Sequence, residues 1–87
     1  MNIHKNQILF LIEISKQDGK LSVVRAGRNV WNTAVSIYNN MNLLRDLGYI
    51  TFYRRKNTII PELTDKGKQQ VKSYFEMILS TKRPKGL

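Results

Sequence analysis

The chemistry open to this chain is bounded by a few residue types. Its 87 residues include six carboxylates, one histidine and no cysteine. The carboxylates (Glu13, Asp18, Asp46, Glu62, Asp65 and Glu76) are scattered, and His4 stands alone. No nucleophile-base pair, phosphate loop or metal-ligand spacing appears. No enzyme, cofactor or metal site is expected, and Asp46 and Asp65 read as helix-end charges. Two other groupings carry chemistry. Arg54, Arg55 and Lys56 are consecutive cations that repel one another unless an anion relieves them. Asn32, Thr33, Ser36, Asn39 and Asn40 form an uncharged hydrogen-bonding set. Asn is a mediocre helix former because its side chain competes for backbone hydrogen bonds. Its amide does match the N6 and N7 atoms on the major-groove edge of adenine.

The whole-chain charge points the same way. Fifteen Lys and Arg against six Asp and Glu give a net charge of +9 and a pI near 10.2. Such a small basic chain suits a polyanion, with nucleic acid the expected partner and an anionic membrane surface the main competitor. Hydrophobic residues at 41% and charged residues at 24% are an ordinary globular balance. One domain over 1–87 is expected, small enough that oligomerisation would help its stability. The longest apolar run, Ile8 to Ile12, has five residues, far short of a membrane span, and nothing before it reads as a signal peptide. The expected setting is the cytoplasm, at the nucleoid (or the host cytoplasm if the chain is viral), with no membrane and no small-molecule ligand.

These groupings need elements to position them. A first helix is predicted over 5–17, with Ile8, Leu11, Ile12 and Ser15 on its inner stripe and Leu9 and Phe10 turned outward. Gln17-Asp18-Gly19 reads as its stop. A short second helix follows over 22–27 with Ser22 as N-cap. Gly27-Arg28-Asn29 reads as a turn, because Gly and Asn tolerate positive φ. A third helix is predicted over 32–47, capped by Asn32, with Ala34, Ile37, Met41, Leu44 and Leu47 inward and Gly48 ending it. The period then changes. Tyr49 to Tyr53 and Thr58 to Leu63 read as two strands around a polar break at 54–57, a hairpin over 49–63. Pro61 demands an edge strand or an open N–H side. A last helix is predicted over 64–81, capped by Thr64, with a basic tail over 82–87. The class is α+β, mostly α, in the order helix, helix, helix, hairpin, helix.

A helix-short turn-helix pair running directly into a hairpin is the winged-helix layout, and three segments carry a resemblance to winged helix-turn-helix regulators. Leu43-Leu44-Arg45-Asp46-Leu47-Gly48-Tyr49-Ile50 resembles a recognition helix passing into the first wing strand. Arg54-Arg55-Lys56-Asn57 resembles a wing tip. Leu63-Thr64-Asp65-Lys66-Gly67 resembles the opening of the last helix in such regulators. The chain is most similar to small archaeal, archaeal-virus or plasmid winged-helix proteins, and more loosely to the MarR and PadR types. The turn over Gly27 to Trp31 is longer than the commonest pattern.

This layout assigns roles. With Ile37, Met41 and Leu44 inward, Thr33, Ser36, Asn39 and Asn40 are expected on the outer face of the third helix, the half presented to base edges. Asn32 is placed at its start, and Asn42 is read as too far around. Arg54, Arg55 and Lys56 are expected on phosphates or in the minor groove, and Arg25 and Arg28 on the flanking backbone, with Lys5 and Lys20 as lesser candidates. Trp31 reads as a staple on the third helix, and Tyr53 as strand packing.

Val71, Tyr74, Phe75, Ile78 and Leu79 form an apolar stripe on the last helix, which three short helices cannot cover. The expected cover is a second copy, a homodimer with two reading helices about one DNA turn apart. Three functions compete. One is a sequence-specific double-stranded DNA-binding transcription regulator, with promoter occlusion, and so repression, as its simplest mechanism. The second is an architectural or chromatin-type DNA-binding protein of low specificity. The third is a protein-interaction winged helix without DNA binding.

Overall fold

The computed structural model describes residues 3–17 and 22–82, with side chains to residue 80. It contains helices α1 (Lys5–Gln17), α2 (Val23–Gly27) and α3 (Ala34–Asp46), strands β1 (Ile50–Arg55) and β2 (Thr58–Leu63), and helix α4 (Asp65–Lys82). Asp18, Gly19, Lys20 and the tail 83–87, together with the side chain of Lys82, lie outside the described residues.

Helix α1 turns a different face inward from the one its spacing predicts. Gln7, Phe10, Leu11 and Ile14 are buried, while Ile8, Leu9 and Ile12 are half-buried. Ser15 is exposed and donates its hydroxyl to the Ile12 carbonyl at 2.7 Å. An apolar run of five covers more than a full turn, so spacing alone cannot choose the face. Phe10, the bulkiest member, takes the centre and meets Trp31 edge-on at 5.1 Å between ring centroids. Trp31 therefore packs on α1 at the edge of the core.

Gln7 is the one buried polar side chain among the described residues, 5% exposed. Its Oε1 accepts from the His4 backbone N–H at 2.9 Å, half of a capping box. Its Nε2 donates to Asn40 Oδ1 at 2.9 Å, which ties α1 to α3.

Ser22 caps α2 as predicted, accepting from the Arg25 N–H at 3.2 Å. Gly27 has a different role from the predicted one. Positive φ occurs only at Gly48 and Lys56 among the described residues, so the turn does not use it at Gly27 or Asn29. A Cβ on Gly27 would lie 2.6 Å from Ile37 Cγ2, so the missing side chain is what lets α2 pack closely on α3. The long turn is closed by the N–H groups of Val30 and Trp31, both donating to the Gly27 carbonyl at 2.9 Å. The cap of α3 is Thr33, not Asn32: Thr33 Oγ1 accepts from the Ser36 N–H at 3.2 Å.

Gly48 ends α3 at φ +87. The Gly48 N–H donates to the Arg45 carbonyl and the Tyr49 N–H to that of Leu44, both at 2.9 Å. This is a Schellman motif, and it aims the chain into β1. The hairpin pairs Ile50 with Leu63 through to Arg55 with Thr58. Its turn is only Lys56-Asn57, with Lys56 at φ 55, so Arg54 and Arg55 belong to the strand instead of a four-residue break. Pro61 pairs opposite Phe52 in a two-stranded sheet, where each strand keeps an open edge.

The opening of α4 explains its sequence. Thr64 Oγ1 donates to the Gly48 carbonyl at 2.6 Å and accepts from the Gly67 N–H at 3.1 Å. A Cβ on Gly67 would run into the Tyr49 carbonyl oxygen. Lys66 sends Nζ to the Leu47 carbonyl at 2.7 Å and over the Tyr49 ring at 4.6 Å. Thr64, Lys66 and Gly67 thus lock α4 onto the α3–β1 junction.

The core joins Phe10, Leu11, Ile14, Val23, Ala26, Ile37, Met41, Leu44, Tyr49, Ile50 and Val71. Val71 is thus part of the chain's own core, a correction to its predicted place on a partner surface. A turn at α4's middle packs inward there, and the same face continues past the point where the other helices can cover it.

Candidate nucleic-acid interface

The outer face of α3 follows from its inner one. At 100° per residue, the direction opposite Ile37, Met41 and Leu44 falls on Val35, Asn39 and Asn42, with Tyr38 and Leu43 on the flanks and Asp46 at the C-terminal end of the same face. Val35, Tyr38, Asn39 and Asn42 are all exposed, Val35 at 69%. The predicted set lies partly elsewhere. Asn39 is exposed as expected, and Asn32 is exposed in the turn. Thr33 is exposed but occupied as the cap, and its hydroxyl also meets Ser36 Oγ at 3.0 Å. Ser36 is half-buried.

Asn40 is half-buried, and both ends of its amide are taken. Oδ1 accepts from Gln7, and Nδ2 donates to the Ser36 carbonyl at 2.8 Å. Its amide holds α3 against α1 and does not face outward. Sequence reasoning missed Val35 and Tyr38 and set Asn42 aside. The signal was available, because Asn42 stands five positions after Ile37 and so near the centre of the opposite face.

The cations line the edges of this surface. Arg25 and Arg28 are exposed at the end of α2, which packs directly on α3. Arg54, Arg55 and Lys56 are exposed at the end of the hairpin. Successive strand residues point to opposite faces, so Arg54 and Arg55 diverge. Arg55 lies 5.9 Å from the Tyr53 ring centroid on its own face. The ion pairs among the described residues are Lys16–Glu13 at 3.1 Å and Arg45–Asp46 at 3.2 Å. None of Arg25, Arg28, Arg54, Arg55 or Lys56 has a carboxylate partner there. Arg45, the one cation of α3, is engaged by Asp46 and lies over the Phe52 ring at 5.1 Å. From Val35 to Asn42 the surface is therefore uncharged between two cationic margins, and the Arg45–Asp46 pair closes its C-terminal end.

On the remaining stripe of α4, Tyr74 and Ile78 are half-buried, while Phe75 is 46% and Leu79 64% exposed. No helix of the described residues is long and apolar enough to cross a membrane.

No protein-family model matches the sequence, and no curated protein matches it. Solved structures do match in fold. AF1382 from Archaeoglobus fulgidus is similar with a TM-score of 0.74 at 13% identity, over 92% of this chain and 90% of that one. A Staphylococcus aureus MepR mutant bound to an oligodeoxyribonucleotide gives 0.71 at 19% identity, over 95% and 67%. Sso10a-2, a DNA-binding protein from Sulfolobus solfataricus, gives 0.65 at 20% identity, over 91% and 82%. With α2 and α3 as the helix pair and β1–β2 as the wing, this chain has the winged helix-turn-helix fold.

Proposed function

We propose that this chain is a DNA-binding transcription regulator that acts without enzymatic chemistry. The observation that carries this reading is the outer face of α3 from Val35 to Asn42, which is exposed, uncharged and flanked by cations with no carboxylate partner. In this reading α3 enters the major groove through Val35, Tyr38, Asn39 and Asn42, with Asn32 and the Thr33–Ser36 pair at its entry. Arg54, Arg55 and Lys56 meet phosphates or the minor groove on one side, and Arg25 and Arg28 the backbone on the other. The MepR complex with an oligodeoxyribonucleotide and the DNA-binding Sso10a-2 share the fold and support the assignment.

The active form is a homodimer. Tyr74, Phe75, Ile78 and Leu79 continue the α4 face beyond Val71, and a second copy of α4 is their natural cover. Two recognition helices then read a two-fold site, and a bound dimer represses by occluding a promoter. The protein acts in the cytoplasm, at the nucleoid.

The +9 charge favours one other reading, an architectural protein with little sequence preference. Selection of sites from random duplex DNA, followed by competition against unrelated DNA, separates the two. A regulator retains a preference of about 10³-fold or more for its site, whereas an architectural protein retains little.

A further inference from the structure

The reading face of α3 lacks the side chains that most often select guanine. The commonest specific contact to a G·C pair is an Arg or Lys on guanine O6 and N7. From Ala34 to Leu44 α3 carries no cation, and Arg45 is engaged by Asp46 and Phe52. What the face does present is an aliphatic side chain and two amides: Val35 on the first turn, Asn39 one turn later, and Asn42 beyond it. An amide pairs with adenine N6 and N7, and a small apolar group packs on the thymine C5-methyl.

Val35 has no structural reason to be valine. It is 69% exposed and outside the core, and a β-branched residue lowers helix propensity. Four residues of helix rise are about 6 Å, close to two base-pair steps of about 3.4 Å. Val35 and Asn39 are therefore spaced to meet base pairs two steps apart.

We infer that α3 selects A·T base pairs in the major groove, with Val35 on a thymine C5-methyl and Asn39 on an adenine edge. This rests on the DNA-binding reading above and adds which bases are read. Asn42 extends the same preference along the groove.

The test uses the full chain and random duplex DNA. The selected half-sites are expected to share an A·T core, and the best site is then resynthesised with deoxyuridine replacing one thymine at a time. Removing one packed methyl group weakens binding by about four-fold at one or two positions. In Val35→Ala, which leaves the core untouched, thymine and deoxyuridine duplexes bind alike. In Asn39→Ala, discrimination at the adenine it contacts falls by about ten-fold or more. A G·C core, deoxyuridine duplexes that bind as tightly as thymine ones, or binding without enrichment of any sequence overturns the inference and leaves DNA binding standing. Failure to bind any duplex at about 50 mM salt overturns the DNA-binding reading and the inference with it.

Discussion

Replacing Gln7 with Leu removes the bridge between α1 and the reading helix. The side chain is 5% exposed and serves two partners, so Leu leaves the Asn40 Oδ1 and the His4 N–H each without one. Asn40 is itself half-buried, so water replaces part of the missing bond. An unsatisfied buried polar group costs about 1–3 kcal/mol, and about 2 kcal/mol is the expectation here. In a domain of this size each kcal/mol moves Tm by about 4–8 °C, so Tm should fall by about 8–16 °C. The assay is thermal unfolding by circular dichroism on Gln7→Leu, Asn40→Leu and the double variant. Removing both partners strands fewer polar groups than the single changes suggest, so the double variant should recover about 0.5–3 kcal/mol relative to their sum. Asn40→Leu should lose stability while keeping the sequence preference of the wild type. Additivity within about 0.3–0.5 kcal/mol would mean that Gln7 and Asn40 are not coupled, and a changed base preference without loss of Tm would mean that Asn40 does not hold the helices together. The second would return Asn40 to the reading surface.

Gly67→Ala places a Cβ against the backbone carbonyl of Tyr49, which cannot swing away, and should cost about 3 kcal/mol or more. Gly27→Ala meets only the Ile37 side chain and should cost less, so urea midpoints for the pair check whether α4 closes on backbone. Phe75→Glu with Ile78→Glu should halve the mass seen by light scattering, from twice 10.2 kDa to 10.2 kDa, and weaken DNA binding. Persistent dimers would remove α4 from the interface.

Much of the architecture was legible in the sequence, because its punctuation is strong. Gly48 and the change of period after it fix the end of α3 and the start of β1, and Thr64 fixes the start of α4. The orientation of the helices was less legible. The run Ile8 to Ile12 offers apolar groups in every direction, and only the volume of Phe10 against Trp31 settles the matter. Asn40 looks identical to Asn39 in sequence, and what separates them is Gln7, 33 residues away from Asn40. Val35 is hidden by the habit of assigning apolar residues to the core, although its helical angle puts it opposite Ile37. Gly27 shows the same limit, since the close approach of Ile37 is a tertiary fact that no local rule contains.

If this fold presents its uncharged helix face and basic wing to duplex DNA, binding must depend on salt. Binding to one duplex should be titrated from about 50 to 200 mM salt for the wild type and for Arg54→Ala with Arg55→Ala. Wild-type affinity should fall steeply with salt. The variant should bind every sequence more weakly, with a slope shallower by about 0.9 for each phosphate it no longer neutralises. A variant slope equal to that of the wild type would contradict the wing's role at the phosphates, and a wild-type affinity that ignores salt would contradict DNA binding by this surface altogether.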